Sequence, residues 1–532
     1  MILLTAEQMR QADRRTIEEI GLPGIVLMEN AAQGAVRALV DQVGDLSEFR
    51  VAVLCGRGNN GGDGLAMARI LVAREVEVVV YLLTKKDKLS GDAATNLAVA
   101  EATGVPVVEV PDETAFLGLV EEMASYDLYV DALLGTGLNS PVQGVYGLAI
   151  DFLNEMGAPI MAVDIPSGLA ADTGVPLGRA VQAACTATFG QVKLGMALDP
   201  VGYSGEITLV DISIPPQVIE DLDPDVFLLE REMVAHLLPE RPSHAHKGDF
   251  GHLLVVGGSV GKTGAPCLAA MGGLRSGAGL VTAALPAALQ PIAALKLTAA
   301  MTEPLAETAD GGLALAGLAT LRQLMAEREA LVLGPGLGKN PETWEAVREL
   351  AAGLESPMVL DADALNALAG TKTRFVSEEV VITPHPGEAA RLLGTDPAAV
   401  AADRLGAARR LAAAFGAVCV LKGARTVVAL PDGPAWINPT GGPLLASGGS
   451  GDVLSGVIGG LMAQGLEAAG AALAGVFVHG LAGQLAEEDY GRRGLAAEEL
   501  ADYLPRAFRQ VEESHSHDHD HGEDEEEDSC HH

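Results

Sequence analysis

The chain has 532 residues, of which 48% are hydrophobic and only 4% aromatic, and its formal net charge is −36. At about 150 residues per domain, this length predicts two or three domains. The negative charge argues against nucleic acid as a partner, because nucleic-acid binding depends on basic contacts to phosphate. A nucleotide ligand would therefore need backbone N–H groups and a few placed cations to hold its phosphates.

The five cysteines are scattered without paired spacing, which is typical of buried thiols in a reducing compartment. The N-terminus has no cationic region followed by an apolar stretch, and no run approaches the ~18 apolar residues of a membrane span. We expect a cytoplasmic protein without a membrane partner.

The first half of the chain alternates helical and strand patterns. Helical spacing from Thr5 to about Val43 predicts helices. Short apolar runs then recur, separated by helical stretches, at 50–56, 75–83, 128–135, 159–168 and 186–190. This alternation predicts βαβ units around a parallel sheet. Prolines and acids without a period follow Ile214 and predict a linker, which we place at 216–224.

A second strand series follows that linker. Its apolar runs lie at 252–259, 330–338, 357–366, 379–388 and 417–424. It closes with a Gly-rich loop from Ser447 that leads into a Gly/Ala helix. No internal repeat relates the halves, so we predict two different α/β domains, at 1–215 and 225–511.

The last 21 residues, 512–532, are acidic, rich in histidine and low in complexity, which predicts disorder. The histidines and Cys530 could bind nickel, zinc or cobalt. A solvated acidic tail and a cloning remnant are the simpler alternatives.

Three loops in the first half carry residues suited to ligand binding. CGRGNNGGDG (Cys55–Gly64) follows a strand and starts a helix, so it could hold an anionic group or be a structural tight turn. VDALLGTGL and VDIPSG end two further strands. Because ligands of open α/β sheets bind outside the carboxyl ends of strands, the three loops could converge. Asn60, Asp131 and Ser167 would offer hard oxygen ligands to a monovalent or divalent cation.

In this order the three loops resemble the NAD(P)H-hydrate epimerase family, over roughly residues 1–215. The resemblance implies a Rossmann-like three-layer fold, interconversion of the R and S hydrates NADHX and NADPHX, and K⁺ held by Asn60, Asp131 and Ser167. It also implies substrate contacts from Asn59, Asn60, Gly61, Gly62, Asp63, Gly135, Thr136, Gly137, Leu138, Asn139, Ser140, Pro141, Tyr146 and Asp164. Asp164 is our hypothesis for the group that moves the proton. Related domains also serve as binding or scaffold modules, which is the alternative.

The second half contains a pattern suited to phosphoryl transfer. SGGSGDVLSG places Asp452 directly after Gly451 where a loop enters a helix. Phosphoryl transfer needs backbone donors and a base near the attacking hydroxyl, although an aspartate here could also be a helix cap. LKGART offers Lys422 and Arg425 to a nucleotide, and TPHPGE sets His385 between prolines. GSVGKTG lacks the spacing of a P-loop.

This set resembles the ADP- or ATP-dependent NAD(P)H-hydrate dehydratases, which have a ribokinase-like fold, over about residues 225–510. The resemblance implies adenine-nucleotide contacts from Lys422, Gly423, Ala424, Arg425, Thr426 and Gly451. It implies contacts to the hydrate from Ala265, Gly336, His385 and Asp452. The implied reaction phosphorylates the ring hydroxyl, with Asp452 as base, and then eliminates phosphate; Mg²⁺ is expected with the nucleotide.

Together the halves predict a bifunctional enzyme that repairs hydrated nicotinamide nucleotides. The alternative is a small-molecule kinase of the ribokinase-like fold fused to a non-catalytic nucleotide-binding module. ADP versus ATP and NADHX versus NADPHX stay open. The Gly/Ala-rich helix after Asp452 is compatible with a homo-oligomer.

Overall fold

The computed structural model describes residues 1–519, which divide into two compact units. The first unit is Ile2–Val226 and the second begins at Phe227. The predicted linker at 216–224 is corrected by this division, because the segment belongs to the first unit. Its apolar residues Val218 and Ile219 are buried in one cluster with Met9 and Ala12, and that burial fixes the segment in place.

The first unit contains nine strands and eight α-helices within the described residues. The strands are β1 Leu3–Leu4, β2 Arg50–Cys55, β3 Glu77–Leu82, β4 Val107–Glu109, β5 Leu128–Ala132, β6 Ile160–Val163, β7 Cys185–Phe189, β8 Val192–Lys193 and β9 Glu206–Val210. The helices are α1 Ala6–Arg15, α2 Gly24–Val43, α3 Asn59–Val72, α4 Gly91–Ala102, α5 Glu113–Met123, α6 Gly144–Glu155, α7 Leu194–Leu198 and α8 Pro216–Glu220.

A seven-stranded parallel sheet organises this unit, in the order β4-β3-β2-β5-β6-β7-β9. Numbered along the sheet, this is the 3-2-1-4-5-6 order of doubly wound folds with one strand added. Alternate residues of β2 face opposite cores: Val51 and Val53 lie in one cluster, whereas Ala52 and Leu54 lie in the other. Strands buried on both faces explain why the sequence shows continuous apolar runs.

The second unit contains the remaining elements. Its sheet strands are β10 Val226–Leu228, β11 His252–Val256, β12 Leu280–Pro286, β13 Met301–Leu305, β14 Ala330–Leu333, β15 Met358–Leu360, β16 Val380–Ile382, β17 Val418–Leu421, β18 Val427–Ala429 and β19 Ala435–Ile437. Its helices are α9 Arg231–Leu237, α10 Gly264–Arg275, α11 Gln290–Lys296, α12 Leu318–Met325, α13 Pro341–Gly353, α14 Asp363–Leu368, α15 Pro386–Leu393, α16 Pro397–Ala402, α17 Arg404–Phe415, α18 Ser450–Ala463, α19 Ala468–Tyr490 and α20 Ala497–His519.

The ten strands form one sheet in the order β10-β19-β18-β17-β16-β15-β14-β11-β12-β13. The strands from β11 to β17 are parallel to their neighbours. Strand β18 pairs antiparallel with β17, and β19 pairs antiparallel with β18. The strand order again reverses in the middle of the sheet, between β11 and β14. The predicted α/β architecture is confirmed in both units.

Helices α10 and α18 approach closely because glycines line their contact. A Cβ at Gly456 would lie 1.9 Å from the Ala269 carbonyl oxygen, and one at Gly272 would lie 2.3 Å from the Val453 oxygen. The Gly/Ala face of α18, which the sequence analysis offered to an oligomer, is therefore used inside the unit.

One described helix, Ala468–Tyr490, is long and apolar enough to cross a membrane, and 83% of its apolar window is buried inside the fold. The expectation that no run approaches span length is therefore wrong, because core helices of Ala, Gly and Val can reach that length. The final helix, Ala497–His519, passes residue 512, where the disordered tail was predicted to begin. The rest of that prediction lies outside the described residues, as does Cys530.

Candidate active sites

The first candidate site lies where the strand order of the first sheet reverses, between β2 and β5. Ligands of open α/β sheets bind at such a point, outside the carboxyl ends of the strands. Asn59–Asp63 open α3 directly after β2, Asp131 lies near the end of β5, and Ser167 follows β6. The structure therefore brings the three predicted loops to one edge of the sheet.

Asp131 and Ser167 form a fully buried pair at this edge, each with 0% exposure. The Ser167 hydroxyl donates to Asp131 Oδ1 at 2.6 Å, and the Ser167 N–H donates to Oδ2 at 2.8 Å. The N–H of Leu134 donates to the Ser167 oxygen at 2.8 Å. Burial raises the pKa of Asp131 to about 6 although these hydrogen bonds oppose the change. The carboxylate therefore lacks a full countercharge.

Asn60 is buried at the same sheet edge, beside the loop that follows β5, with its side-chain amide unsatisfied. Neither Oδ1 nor Nδ2 of Asn60 has a hydrogen-bond partner among the described residues. A Cβ at Gly135 would lie 3.4 Å from Asn60 Cβ, so the amide faces the loop after β5. A buried amide without partners is explained when a water or an ion satisfies it. Within residues 1–519 no group of three His, Cys, Asp or Glu could hold a metal, so a cation here would use amide, hydroxyl and carboxylate oxygens.

A cavity of about 760 Å³ opens beside Asn60, and its lining does not include Asp131 or Ser167. That volume is within the range of small-molecule sites. The predicted substrate contacts that line it are Asn59, Asn60, Asp63, Gly135, Thr136, Gly137, Leu138, Asn139, Tyr146 and Asp164. The lining does not include the predicted contacts Gly61, Gly62, Ser140 and Pro141. A Cβ at Gly61 would lie 2.0 Å from the Gly56 carbonyl oxygen, so that glycine permits close backbone packing.

Asp164 occupies the cavity wall in a strained backbone conformation. Its φ of +67° lies in the left-handed region, which L-residues adopt at a cost that functional sites commonly carry. Its Oδ1 accepts hydrogen bonds from Lys193 Nζ and from the Phe189 N–H. The Lys193 side chain is 1% exposed, and its ammonium also donates to Thr188 Oγ1 and the Phe189 carbonyl, each at 2.9 Å. A buried lysine therefore fixes this carboxylate.

Two further carboxyl groups face the same cavity. Asp13 from α1 and Asp63 from α3 line it together with Asp164 and Lys193. Burial, and next the charge of Asp164, raises the pKa of Asp13 to about 6. The same two effects, together with the charge of Asp13, raise the pKa of Asp63 well above its ordinary value. Asp13 and Lys193 were missed from the sequence, because Asp13 is one of several charged residues in α1 and Lys193 is a single charge in the two-residue strand β8.

The second candidate site lies at the carboxyl ends of successive parallel strands in the second unit. Asp361 follows β15, Thr383–His385 follow β16, and Lys422 follows β17. The N-terminus of α18, with Gly451 and Asp452 in its first turn, lies against the same edge: a Cβ at Gly451 would be 3.3 Å from Lys422 Nζ. The predicted nucleotide residues Lys422 and Gly451 are therefore neighbours.

A buried ion pair anchors this edge. Lys422 Nζ donates to Asp361 Oδ1 at 2.7 Å, and the Ser455 hydroxyl donates to Oδ2 at 2.5 Å. Burial alone would raise the pKa of Asp361, but the Lys422 charge and these hydrogen bonds outweigh it and hold that pKa below its usual range. Burial likewise opposes the charge of Lys422, and Asp361 and Glu388 overcome it and raise the lysine pKa.

Asp452 stands beside this pair without a lysine of its own. Burial, and next the negative charge of Asp361, raises the pKa of Asp452 to about 7, whereas Lys422 and Lys262 act in the opposite direction. A carboxyl with a pKa near neutrality can accept and return a proton efficiently. This property suits the predicted role as base.

His385 caps α15 in a rigid arrangement with Glu388. The Gly387 N–H donates to His385 Nδ1 at 3.0 Å, and the His385 N–H donates to Glu388 Oε2 at 2.9 Å. Partial burial lowers the pKa of His385, and Lys422 and Arg391 lower it further. Glu388 is 5% exposed, and burial raises its pKa to about 7. Glu388 was missed although it stands in the TPHPGE motif.

The predicted substrate contacts Ala265 and Gly336 are neighbours across the strand reversal. A Cβ at Gly336 would lie 3.1 Å from Ala265 Cβ and 2.8 Å from the Lys262 carbonyl oxygen. Lys262 Nζ donates to Asp363 Oδ2 at 2.9 Å, and the Gly338 N–H donates to the same oxygen at 2.8 Å. Lys262 and Asp363 were missed: the first stands in the GSVGKTG segment, and the second in DADALN.

The remaining predicted nucleotide residues form the loop between β17 and β18. Arg425 has a φ of +55°, and its guanidinium donates to the Pro439 carbonyl at 3.2 Å. Thr426 Oγ1 donates to the Gly423 carbonyl at 2.9 Å. Arg404, which was not predicted, donates to the Ala424 carbonyl and thereby shapes the loop. Burial lowers the pKa of Arg404 to about 10.

Two family models match the chain. The model described as YjeF-related protein N-terminus matches residues 24–195, and the model described as NAD(P)H-hydrate dehydratase matches residues 253–506. Each match therefore lies within one of the two compact units.

Curated relatives match nearly the whole chain. The bifunctional NAD(P)H-hydrate repair enzyme of Moorella thermoacetica is 43% identical over 518 residues, which are 96% of this chain and 98% of the relative. The chain belongs to the family of bifunctional NAD(P)H-hydrate repair enzymes. The member from Thermofilum pendens is 40% identical over 96% of this chain and 97% of its own length. The member from Escherichia coli is 36% identical over 94% of this chain and 93% of its own length.

Membership of this family confirms the central prediction. The first unit is the Rossmann-like epimerase domain, and the second is the ribokinase-like dehydratase domain. The alternative of a simple kinase fused to a non-catalytic module is not favoured. Among solved structures, the ADP/ATP-dependent NAD(P)H-hydrate dehydratase from Bacillus subtilis, co-crystallised with ATP/Mg²⁺, is 33% identical with a TM-score of 0.49. The match covers 54% of this chain and 99% of the Bacillus subtilis chain.

Proposed function

We propose that the cavity of the first unit holds the hydrated nicotinamide ring of R or S NADHX or NADPHX, and that Asp164 moves the proton during epimerisation. The support is the carboxylate of Asp164, which lines a cavity of about 760 Å³ and is fixed by a buried lysine. A base held in one orientation loses little entropy on reaching the reacting group. The glycine-rich turn at Asn59–Asp63 supplies backbone N–H groups near the ligand.

We propose that Asn60, Asp131 and Ser167 hold a potassium ion. The support is the orphaned amide of Asn60 beside a buried carboxylate that lacks a full countercharge. An all-oxygen set of amide, hydroxyl and carboxylate suits a hard cation. A bound potassium ion would supply the missing positive charge and order the loop after β5, whose residues line the cavity.

In the second unit we propose that Asp452 takes the proton from the ring hydroxyl of the S hydrate as an adenine nucleotide donates its phosphoryl group. Gly451 leaves room for phosphate beside Lys422, since a Cβ there would lie 3.3 Å from Nζ. Lys422–Thr426 would hold the nucleotide, and Ala265, Gly336 and His385 the hydrate. Magnesium bound with the nucleotide would neutralise phosphate charge. The Bacillus subtilis relative, co-crystallised with ATP/Mg²⁺, supports this choice of nucleotide and ion.

The raised pKa of Asp452, about 7, is the observation that most directly supports the dehydratase mechanism. The test is incubation of the full chain with S-NADHX and either ADP or ATP and Mg²⁺. We expect the absorbance of the dihydronicotinamide to return, with one phosphate released for each hydrate consumed. Transfer of phosphate to the hydrate without elimination would instead support a kinase, and no reaction would contradict both.

We further infer a cytoplasmic homo-oligomer without nucleic-acid or membrane partners. The net charge of −36 supports the absence of nucleic acid. Leu295 and Met301 are exposed hydrophobic residues, 84% and 44%, on α11 and on the edge strand β13, and support self-association. Light scattering of the purified chain tests the assembly, and a monomer at micromolar concentration would contradict it.

A further inference from the structure

Four charged side chains meet in the cavity of the first unit, and the role proposed above uses only one of them. Asp13, Asp63, Asp164 and Lys193 all line it, and they come from α1, α3, the end of β6 and β8. Arg10, Arg57 and Asp92 also line the cavity. Burial together with the charge of Asp164 still raises the pKa of both Asp13 and Asp63, which favours the protonated form of a carboxyl group beside Asp164. The arrangement therefore holds a carboxylate and a carboxylic acid at the same time.

The hydrogen bonds of Lys193 select Asp164 as its carboxylate partner. Its ammonium donates to Asp164, Thr188 and the Phe189 carbonyl, which uses its three protons. Both hydrogen bonds to the Asp164 side chain, from Lys193 and from the Phe189 N–H, end on Oδ1. Because Asp164 lines the cavity, Oδ2 is the oxygen available to a ligand.

Asp63 has the opposite environment. It lies in the first turns of α3, is 8% exposed, and faces the cavity among groups that oppose its ionisation. Burial, Asp164 and Asp13 raise its pKa, and Lys193 only partly opposes them. The other ionisable neighbours are the Cys55 thiol, whose pKa is raised by burial, and the cavity-lining Arg10, Arg57, Asp92 and Tyr146.

We propose that Asp63 is the acid partner of Asp164 in the epimerisation, and that Lys193 is a positioning residue that keeps Asp164 as the base. This inference rests on the proposed role of Asp164 and adds two residues to it. Water added to an enamine carbon leaves a hydroxyl on the carbon bonded to the ring nitrogen. Inversion by ring opening requires a proton to leave the oxygen and another to reach the nitrogen.

The proton transfers balance. Asp164 Oδ2 takes the hydroxyl proton, the C–O bond becomes a carbonyl, and the C–N bond breaks with its electrons on the ring nitrogen. Asp63 delivers its proton to that nitrogen. The aldehyde rotates, the nitrogen attacks its other face as it returns the proton to Asp63, and Asp164 returns its proton to the oxygen. The total charge of the cluster is the same before and after, which suits a buried site.

The test measures epimerisation of R-NADHX by chromatography, with the full chain, K⁺ present, nucleotide left out and the uncatalysed rate subtracted. Lys193→Met should lower kcat at neutral pH by about 10–10³-fold with a small change in KM. Lys193→Arg should restore part of the rate. Lys88→Met, at an exposed lysine, is the matched control.

Asp63→Asn is nearly isosteric and tests the acid directly. We expect kcat to fall by about 10²-fold or more and the alkaline limb of the pH profile to disappear. Thermal unfolding of each variant, compared with wild type, reports whether the first unit has folded, since dehydratase activity reports only on the second unit. Wild-type kcat in Lys193→Met, or wild-type kcat and an unchanged pH profile in Asp63→Asn, would overturn the inference.

Asp164→Asn separates this inference from the role on which it rests. If Asp164→Asn is inactive while the Lys193 and Asp63 variants behave as wild type, only the inference fails. If Asp164→Asn epimerises at the wild-type rate, the proposed role of Asp164 fails with it.

Discussion

Both units place their sites at the carboxyl ends of parallel strands, and each site combines one buried lysine with several carboxyl groups. In the first unit Lys193 pairs with Asp164, a residue on the cavity wall. In the second, Lys422 pairs at 2.7 Å with Asp361, which is 1% exposed and lies behind the proposed base Asp452. The lysine thus contacts the proposed base directly in one site and only its neighbour in the other.

This difference sets the protonation of each site. A paired carboxylate stays charged and its neighbours are pushed toward the neutral form. In the second unit that neighbour is Asp452, with a pKa of about 7, so the proposed base titrates near neutrality. In the first unit the neighbours are Asp13 and Asp63, and their pKa values are raised. Asp63 is the proposed acid there, and Asp13 has no proposed role in the reaction. Four variants test the comparison.

Asp452→Asn should have the largest effect. We expect dehydratase kcat to fall by about 10²–10⁴-fold while epimerisation is unchanged, because a general base is lost from one unit only. A base acts when deprotonated, so the wild-type rate should rise with pH through about 7. Stopped assays of NADH recovery at about seven pH values between ~5.5 and ~9 measure the loss of kcat in the variant and the pH dependence of the wild-type rate. Asp432→Asn, at an exposed aspartate, is the control, and a dehydratase rate unaffected by Asp452→Asn would refute the assignment.

Lys422→Met should destabilise the second unit. Removing the ammonium leaves the Asp361 carboxylate buried without its countercharge, which typically costs about 3–5 kcal/mol. Denaturant unfolding measures the loss, and Lys372→Met at an exposed lysine is the control. Adding Asp361→Asn should recover part of the loss, since coupled partners are not additive. Equal stability of Lys422→Met and wild type would show that the pair is not a structural anchor.

Ser167→Ala should weaken potassium binding to the first unit. The change removes one of three proposed oxygen ligands, and we expect a loss of about tenfold in affinity, or about 1.4 kcal/mol. The dependence of epimerisation on K⁺, with choline as the replacement cation, measures it. Ser47→Ala at an exposed serine should leave the K⁺ dependence alone. If wild type needs no K⁺, the site serves only structure.

Asp13→Asn should have the smallest effect, on stability. The folded pKa of Asp13 is about 6, above its ordinary value of 3.8, so its contribution is fully present below pH ~4 and is lost as pH rises through about 6. The variant should therefore be more stable than wild type well above pH 6, by up to about 3 kcal/mol, and equal to it near pH 4. Melting temperatures across this range measure it, with Asp41→Asn as the exposed control. A variant less stable than wild type at pH 8 would contradict the assignment.

Much of each site could be predicted from the sequence because its residues follow strands directly. Asn60, Asp131 and Asp164 stand at the ends of apolar runs, and parallel strands bring such ends to one edge. Lys193 and Asp13 could not be found in this way. They reach the cavity from β8 and α1, elements that carry no motif, and only the folded arrangement places them beside Asp164.

The linker shows the same limit at the level of domains. Its prolines and acids predict an irregular segment, and α8 is indeed only five residues long. Burial of Val218 and Ile219 against α1 assigns it to the first unit, and that contact spans about two hundred residues of sequence. Local composition carries no information about such a partner.

The sequence by itself determined the two α/β units, the loops that carry the sites and the family to which the chain belongs, because strand periodicity and glycine-rich turns are local properties. Only the tertiary structure decided which carboxyl group each lysine pairs with. That pairing depends on distances between side chains that come from separate strands and helices. Together with burial, it sets the pKa of Asp63 and Asp452, and the sequence around these two residues does not indicate it.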